Sequence, residues 1–132
     1  MLLFWLSAVS PVPQEAQPNW RALGQSKDGT SFFVDDSTII SKSDGVAEVW
    51  TRRDNLPGSK YAREKILISF NCHERTSKYI AAISYLASGS IGNDRYKPEK
   101  RYLPVIPNSI DWVTMEHVCK LMKPTPDAAP AL

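Results

Sequence analysis

The stretch from Lys60 to Leu86, KYAREKILISFNCHERTSKYIAAISYL, restricts the possible folds of this chain more than any other. Two runs rich in β-branched and aromatic residues flank a short polar corner, Asn71 to Arg75, as expected of two long antiparallel strands joined by a turn. At a period of two, Ile66, Ile68, Phe70 and Cys72 share one face of the first arm, and Lys65, Leu67, Ser69 and Asn71 share the other. In the second arm Tyr79, Ala81, Ile83 and Tyr85 oppose Ile80, Ala82, Ser84 and Leu86. The sheet is thus apolar over much of both sides, which suits a helix on one face and loops or a partner subunit on the other. The corner also carries Cys72, one of only two cysteines. A bridge to the other, Cys119, would close a long loop and stabilise the fold by roughly 4 kcal/mol in the chain-entropy account.

Other elements group around that hairpin. Asn19 to Gln25 leads into Asp28-Gly29, a hairpin-turn pair, and Thr30 to Asp35 is the partner strand, with Phe32 and Val34 on one face and Phe33 and Asp35 on the other. Asp36 to Ile40 is expected to form a capped helical turn that drops Ile39 or Ile40 into the core. A second turn at Lys42 to Gly45 precedes a third strand, Gly45 to Arg53, whose two faces are both mixed. Asp54 to Ser59 contains Pro-Gly and is a loop. Ser88 to Lys100 reads as a mobile surface loop, and Tyr102 to Pro107 as an edge or covering segment, because proline cannot donate to a strand ladder. From Ser109 to Met122 a capped helix has Ile110, Val113, His117 and Leu121 at helical spacing, with Trp112, Met115, Val118, Cys119 and Met122 widening the stripe. It should pack on the sheet with Cys119 facing Cys72.

A chain of 132 residues fits one domain. Hydrophobic residues at 42% and charged residues at 23% argue against wholesale disorder and against a membrane-spanning bundle. The net charge of +2 falls short of the basic loading expected for nucleic-acid binding. Met1 to Val9, MLLFWLSAV, is too short to cross a bilayer as a helix and resembles the apolar part of a secretory signal. Residues 1–16 are therefore read as signal-like, 17–123 as the folded domain and 124–132 as a disordered tail. No cysteine follows the apolar run to accept a lipid, so the reading is of a protein without a lipid anchor. Two cysteines suit either one disulfide or two separate thiols, and the compartment decides which.

Chemistry-bearing groups are sparse. Cys72-His73 and His117-Val118-Cys119 could supply four zinc ligands only if all converged, but neighbours on a strand point to opposite faces and no Cys-x-x-Cys pair is present. Asp35, Asp36, His73 and Glu74 are available for catalysis, yet no phosphate loop, nucleophile elbow or His-Glu-x-x-His helix accompanies them. Asp35 reads better as a capping residue. No cofactor is expected, and no haem-attachment motif is present. The candidate binding residues are basic: Arg52, Arg53, Lys60, Arg63 and Lys65 around the Asp54 to Ser59 loop, and Arg95, Lys97, Lys100 and Arg101 interleaved with Tyr96 and Tyr102. Either group could receive an acidic glycoprotein segment, a sulfated glycan or lipid phosphates. The competing reading is a solvated rim that keeps sheet edges from aggregating.

Several landmarks fall in a telling order: Trp20 with Leu23-Gly24, Asp28-Gly29-Thr30, Phe32-Phe33-Val34-Asp35, Ser37-Thr38-Ile39, Val49-Trp50, Phe70-Asn71-Cys72, Glu74-Arg75, Tyr79, Pro104 to Ser109, and Cys119. The series resembles the bacterial surface-adhesin protein E family. That resemblance implies an α+β fold, with one antiparallel sheet of about six strands, a C-terminal helix packed on it and a disulfide between Cys72 and Cys119. It implies an exported protein, in the periplasm, on the cell surface or secreted, that is not an enzyme. The implied partners are host extracellular-matrix or plasma glycoproteins or another envelope component, with no nucleic acid and no transmembrane span, and a homodimer is compatible with it. The alternative is a periplasmic structural protein with no external ligand.

Overall fold

The computed structural model describes residues 19–122; the signal-like run and the tail expected at 1–16 and 124–132 lie outside them. The described chain forms β1 (Trp20–Gln25), β2 (Ser31–Asp35), β3 (Ile40–Ser43), β4 (Val46–Asp54), β5 (Tyr61–Asn71), β6 (Thr76–Leu86), β7 (Ile91–Arg95), β8 (Leu103–Pro104) and α1 (Ile110–Leu121). The strands make one antiparallel sheet in the order β1-β2-β4-β5-β6-β7, with β3 also on β4 and β8 also on β6. The long apolar hairpin is its centre, as the expected α+β fold requires.

Two corrections concern elements placed outside the sheet. Ile40–Ser43 was expected within turns and forms β3, opposite Val46 to Glu48, beyond the part of β4 that pairs with β2. The reason is local: Asp35 caps a single 3-10 turn at Asp36–Thr38, reversing the chain so that it returns along the same neighbour. Ile39 then packs against the core, while Ile40 is exposed. Ile91–Arg95, within the expected loop, forms β7, because the Gly89 turn closes a hairpin through the Gly89 N–H to the Leu86 carbonyl at 2.8 Å.

One face of the sheet is closed. Val34, Ala47, Val49, Ile66, Ile68 and Phe70 bury against Val105, Met115 and Val118. Burying a Val, Ile or Phe side chain contributes about 1.5–3 kcal/mol, so this cluster is the main stabilising core. Strict alternation fails on β6. Leu67 pairs with Ala81 but Ile68 pairs with Tyr79, leaving Ile80 as an extra residue. The bulge offsets the alternation on its two sides, so Tyr79 and Ala82 both turn to the core, in place of the shared face expected for Tyr79, Ala81, Ile83 and Tyr85.

The helix also faces differently from its simplest periodicity. Ser109 caps it by accepting from the Trp112 N–H at 3.2 Å. Thr114, Met115 and Val118 are buried, whereas Val113 and Leu121 of the expected leading stripe are each 42% exposed. Cys119 is bonded to Cys72, S–S 1.98 Å, and that bond sets the rotation, turning Met115, Val118, Cys119 and Met122 inward.

Candidate interaction face

The opposite face of the sheet bears no helix among the described residues, since Met115 and Val118 of α1 join the core on the other side. Alternation on β4 decides what it displays. Ala47, Val49 and Thr51 are buried inward, so Glu48, Trp50, Arg52 and Asp54 project outward. Register then lines up cross-strand rows: Phe33, Arg52, Lys65 and Ile83 in one, Trp50, Leu67 and Ala81 in the next, and Asp54, Arg63 and Tyr85 in a third. Trp20, on β1, lies beside the first.

Aromatic rings and cations interleave across these rows. The Arg52 guanidinium lies 4.1 Å from the Phe33 ring centre and 5.1 Å from that of Trp20. The Lys65 ammonium sits 5.9 Å from Trp20 and 5.0 Å from Tyr85. Each such contact is worth about 0.5–1 kcal/mol near solvent, and the cations shield rings that no helix covers. Asp54 joins the set, accepting from Arg52 Nη2 at 3.0 Å and from Arg63 Nε at 3.0 Å. Toward the other end the face is closed: Ser69, 1% exposed, bonds the Tyr102 hydroxyl at 2.7 Å, and Lys78 lies 4.9 Å from that ring centre.

The structure divides the first basic group. Arg52, Arg63 and Lys65 meet on the outer face, with Lys60 at its rim, 5.2 Å from the Tyr61 ring centre. Arg53 projects to the helix side, where it donates to the Tyr79 hydroxyl at 3.0 Å and lies 3.9 Å from Asp111. In the second group, Arg95 ends β7 and flanks a notch of about 170 Å³ with Lys97 and Glu99, while Lys100 and Arg101 are exposed on the approach to β8. The rings of Trp20, Phe33, Trp50 and Tyr85 were not among the binding residues expected from the sequence. Their signal was the alternation of β4, but only the cross-strand register shows which of its mixed faces meets them.

Other titratable groups act in docking. The Asp36 carboxylate holds His117 Nε2 at 2.7 Å and Arg21 Nε at 2.6 Å, tying β1, the 3-10 turn and α1 together. Burial alone would raise the Asp36 pKa, but the bonds and charges of His117 and Arg21 outweigh it and hold the group below its ordinary 3.8. The Tyr79 hydroxyl donates to Asp111 at 2.8 Å; burial first, and the Asp111 charge second, push its pKa up to about 12. Asp35 accepts from the Ser37 N–H at 3.0 Å, the capping role expected of it. The sulfurs of Cys72 and Cys119 are bonded to each other, which removes both thiolates from any four-ligand zinc set with His73 and His117. Among the described residues no three of His, Cys, Asp and Glu converge as metal ligands.

Comparison with known proteins agrees with this architecture. The sequence model of the family described as surface-adhesin protein E matches residues 20–120. Among curated proteins, none matches the chain in sequence. Crystal form II of Haemophilus influenzae protein E is similar in fold with TM-score 0.56 at 11% identity, over 82% of this chain and 92% of that one. A second structure of Haemophilus influenzae protein E gives TM-score 0.56 at 13% identity, over 82% of this chain and 89% of that one. Protein E from non-typeable Haemophilus influenzae gives 0.52 at 12% identity, covering 82% of this chain and 80% of that one. At such identities these likenesses speak for the fold alone.

Proposed function

The chain belongs to the surface-adhesin protein E family, and from that premise we propose that it is an exported, non-enzymatic binding module whose partners are host extracellular-matrix or plasma glycoproteins. The observation that carries the reading is the outer face, where half-buried Trp20, Phe33, Trp50 and Tyr85 lie among Arg52, Arg63 and Lys65 with no helix over them. Aromatic residues and arginine are the types that anchor protein interfaces, and the closed opposite face lets the fold stand without them. The Cys72–Cys119 bond supports an oxidising compartment, where disulfides persist. No helix among the described residues is long and apolar enough to cross a membrane.

The test is binding of the oxidised protein to an immobilised extracellular matrix and to plasma glycoproteins, read by surface plasmon resonance, alongside protease treatment of intact cells. Saturable binding with cleavage on intact cells supports the reading. Absence of binding, with protection until the outer envelope is opened, rejects it.

A further inference from the structure

The outer face does not end flat. Between the loop joining β4 to β5 and the turn joining β6 to β7 it opens into a groove of about 370 Å³, lined by Asp54, Arg63, Lys65, Tyr85 and the small residues Ala62 and Gly89. That volume lies within the range of small-ligand sites and suits one or two sugar rings. We propose that this groove is a subsite for an acidic sugar residue, one bearing a sulfate or a carboxylate, on the glycan of the partner. The proposal rests on the binding-module reading for the source of the glycan and on the groove's own chemistry for the rest.

Three features carry it. First, charge: Arg52, Arg63 and Lys65 gather about a single carboxylate, Asp54, which already bonds both arginines. Among the described residues no carboxylate pairs with the Lys65 ammonium, so the groove keeps a positive surplus for an anion. Second, placement: Arg63 and Lys65 are two apart on β5, on one face and about 7 Å from each other along the strand. Tyr85 pairs directly with Arg63 and supports the Lys65 ammonium at 5.0 Å, so the cations and the ring are held in fixed relation. A ring with an apolar C–H side can lie against the tyrosine while its acidic substituent reaches the cations, and Asp54 is at hand for hydroxyls. Third, the walls offer no strand edge. The Asn55 N–H is spent on the Ala62 carbonyl at 3.1 Å and the Leu86 N–H on the Ser90 carbonyl at 2.9 Å, and Arg63 and Tyr85 pair with each other beside the bulge at Ala62. Neither of these N–H groups is open to an extended acidic peptide, which favours a glycan.

The test uses the whole oxidised protein and four probes: a heparin tetrasaccharide with sulfates and carboxylates, a hyaluronan tetrasaccharide with carboxylates alone, neutral maltotetraose, and a glutamate-rich peptide. By titration calorimetry at least one acidic probe should bind, more weakly as salt is raised, and maltotetraose should not. Which acidic probe binds tells sulfate from carboxylate. Lys65→Gln and Tyr85→Leu should each weaken binding by about tenfold, and the double change Lys97→Gln/Lys100→Gln should leave it unaltered. In the unmodified protein, the bound probe should protect Lys65 from amine acetylation, a readout that needs no variant to fold.

Equal binding of maltotetraose overturns the proposal, as does failure of both acidic probes, loss confined to the Lys97/Lys100 variant, or tighter binding of a glutamate-rich peptide. The two readings fail separately. If glycoproteins still bind after their glycans are removed and neither acidic tetrasaccharide binds, the module stands and the subsite falls. If a tetrasaccharide protects Lys65 while no glycoprotein binds, the subsite stands and the glycoprotein partner falls.

Discussion

At Gly45 the backbone takes φ +73°, and a Cβ there would fall 2.1 Å from Cδ2 of His73. The His73 side chain is 68% exposed and can swing aside, so the lasting cost of Gly45→Ala is the left-handed backbone, roughly 1–2 kcal/mol. Urea denaturation should show that loss, and a His73→Ala background should relieve little of it. The turn itself was legible, because Asp44-Gly45 is a turn pair. Its docking against the hairpin corner was not, since that depends on the Cys72 N–H reaching the Gly45 carbonyl at 2.7 Å across strands. Asp36 sits in the same position: its capping neighbourhood is local, but His117 comes from far along the chain. A carboxyl whose folded pKa is depressed adds stability that is present above its unfolded value and lost as pH falls through the folded one. The protein should therefore lose stability on acidification below about pH 4, in part through Asp36. Asp36→Asn should be less stable at neutral pH and show a shallower acid limb in denaturation followed across pH.

Among the elements, α1 depends most on contacts that are distant in sequence. Its disulfide spans a sequence separation of 47, and removing it by Cys72→Ser/Cys119→Ser should cost roughly 4 kcal/mol. Limited proteolysis of that variant should cut first within or just before Ile110–Leu121, because the helix is then left with noncovalent ties alone. One of those ties is the Tyr79 hydroxyl on Asp111 in the first helical turn, with Arg53 behind it. A phenol with a raised folded pKa contributes stability that is complete below its unfolded value near 10 and lost as pH rises toward about 12. Tyr79→Phe should lower neutral stability by about 1 kcal/mol and weaken the alkaline loss over that window, with one late tyrosinate transition missing from the absorbance titration. The helix was readable from its cap and period. Its inward side was readable in part: Cys119 faces Cys72 as expected and Met115 and Val118 are buried, but Val113 and Leu121, which share the helical spacing, stand exposed.

For the molecule as a whole, the consequential feature is the difference between its two sheet faces. A central hairpin and a packed helix were readable, because strand length and helical period survive in any register. Which face each side chain serves was not, because one extra residue at Ile80 inverts the rest of β6. The structure assigns Val49 and Ile68 to the closed face, paired in register and at most 1% exposed, and Trp50 and Leu67 to the outer face, also paired and only half-buried. If the closed face holds the fold and the outer face holds the partner, substitutions on the two must separate stability from affinity. Ile68→Ala should cost about 2–5 kcal/mol in urea denaturation, as a buried large-to-small change does, while molecules that remain folded keep their affinity for the glycoprotein. Trp50→Ser/Leu67→Ser should cost less in stability than Ile68→Ala and weaken binding at least about tenfold, because it removes an aromatic anchor from the proposed interface. Both quantities can be measured on the same preparations. An outer-face variant that binds as tightly as the parent protein moves the interface elsewhere, and a closed-face variant that loses affinity while still folded places it on the helix side.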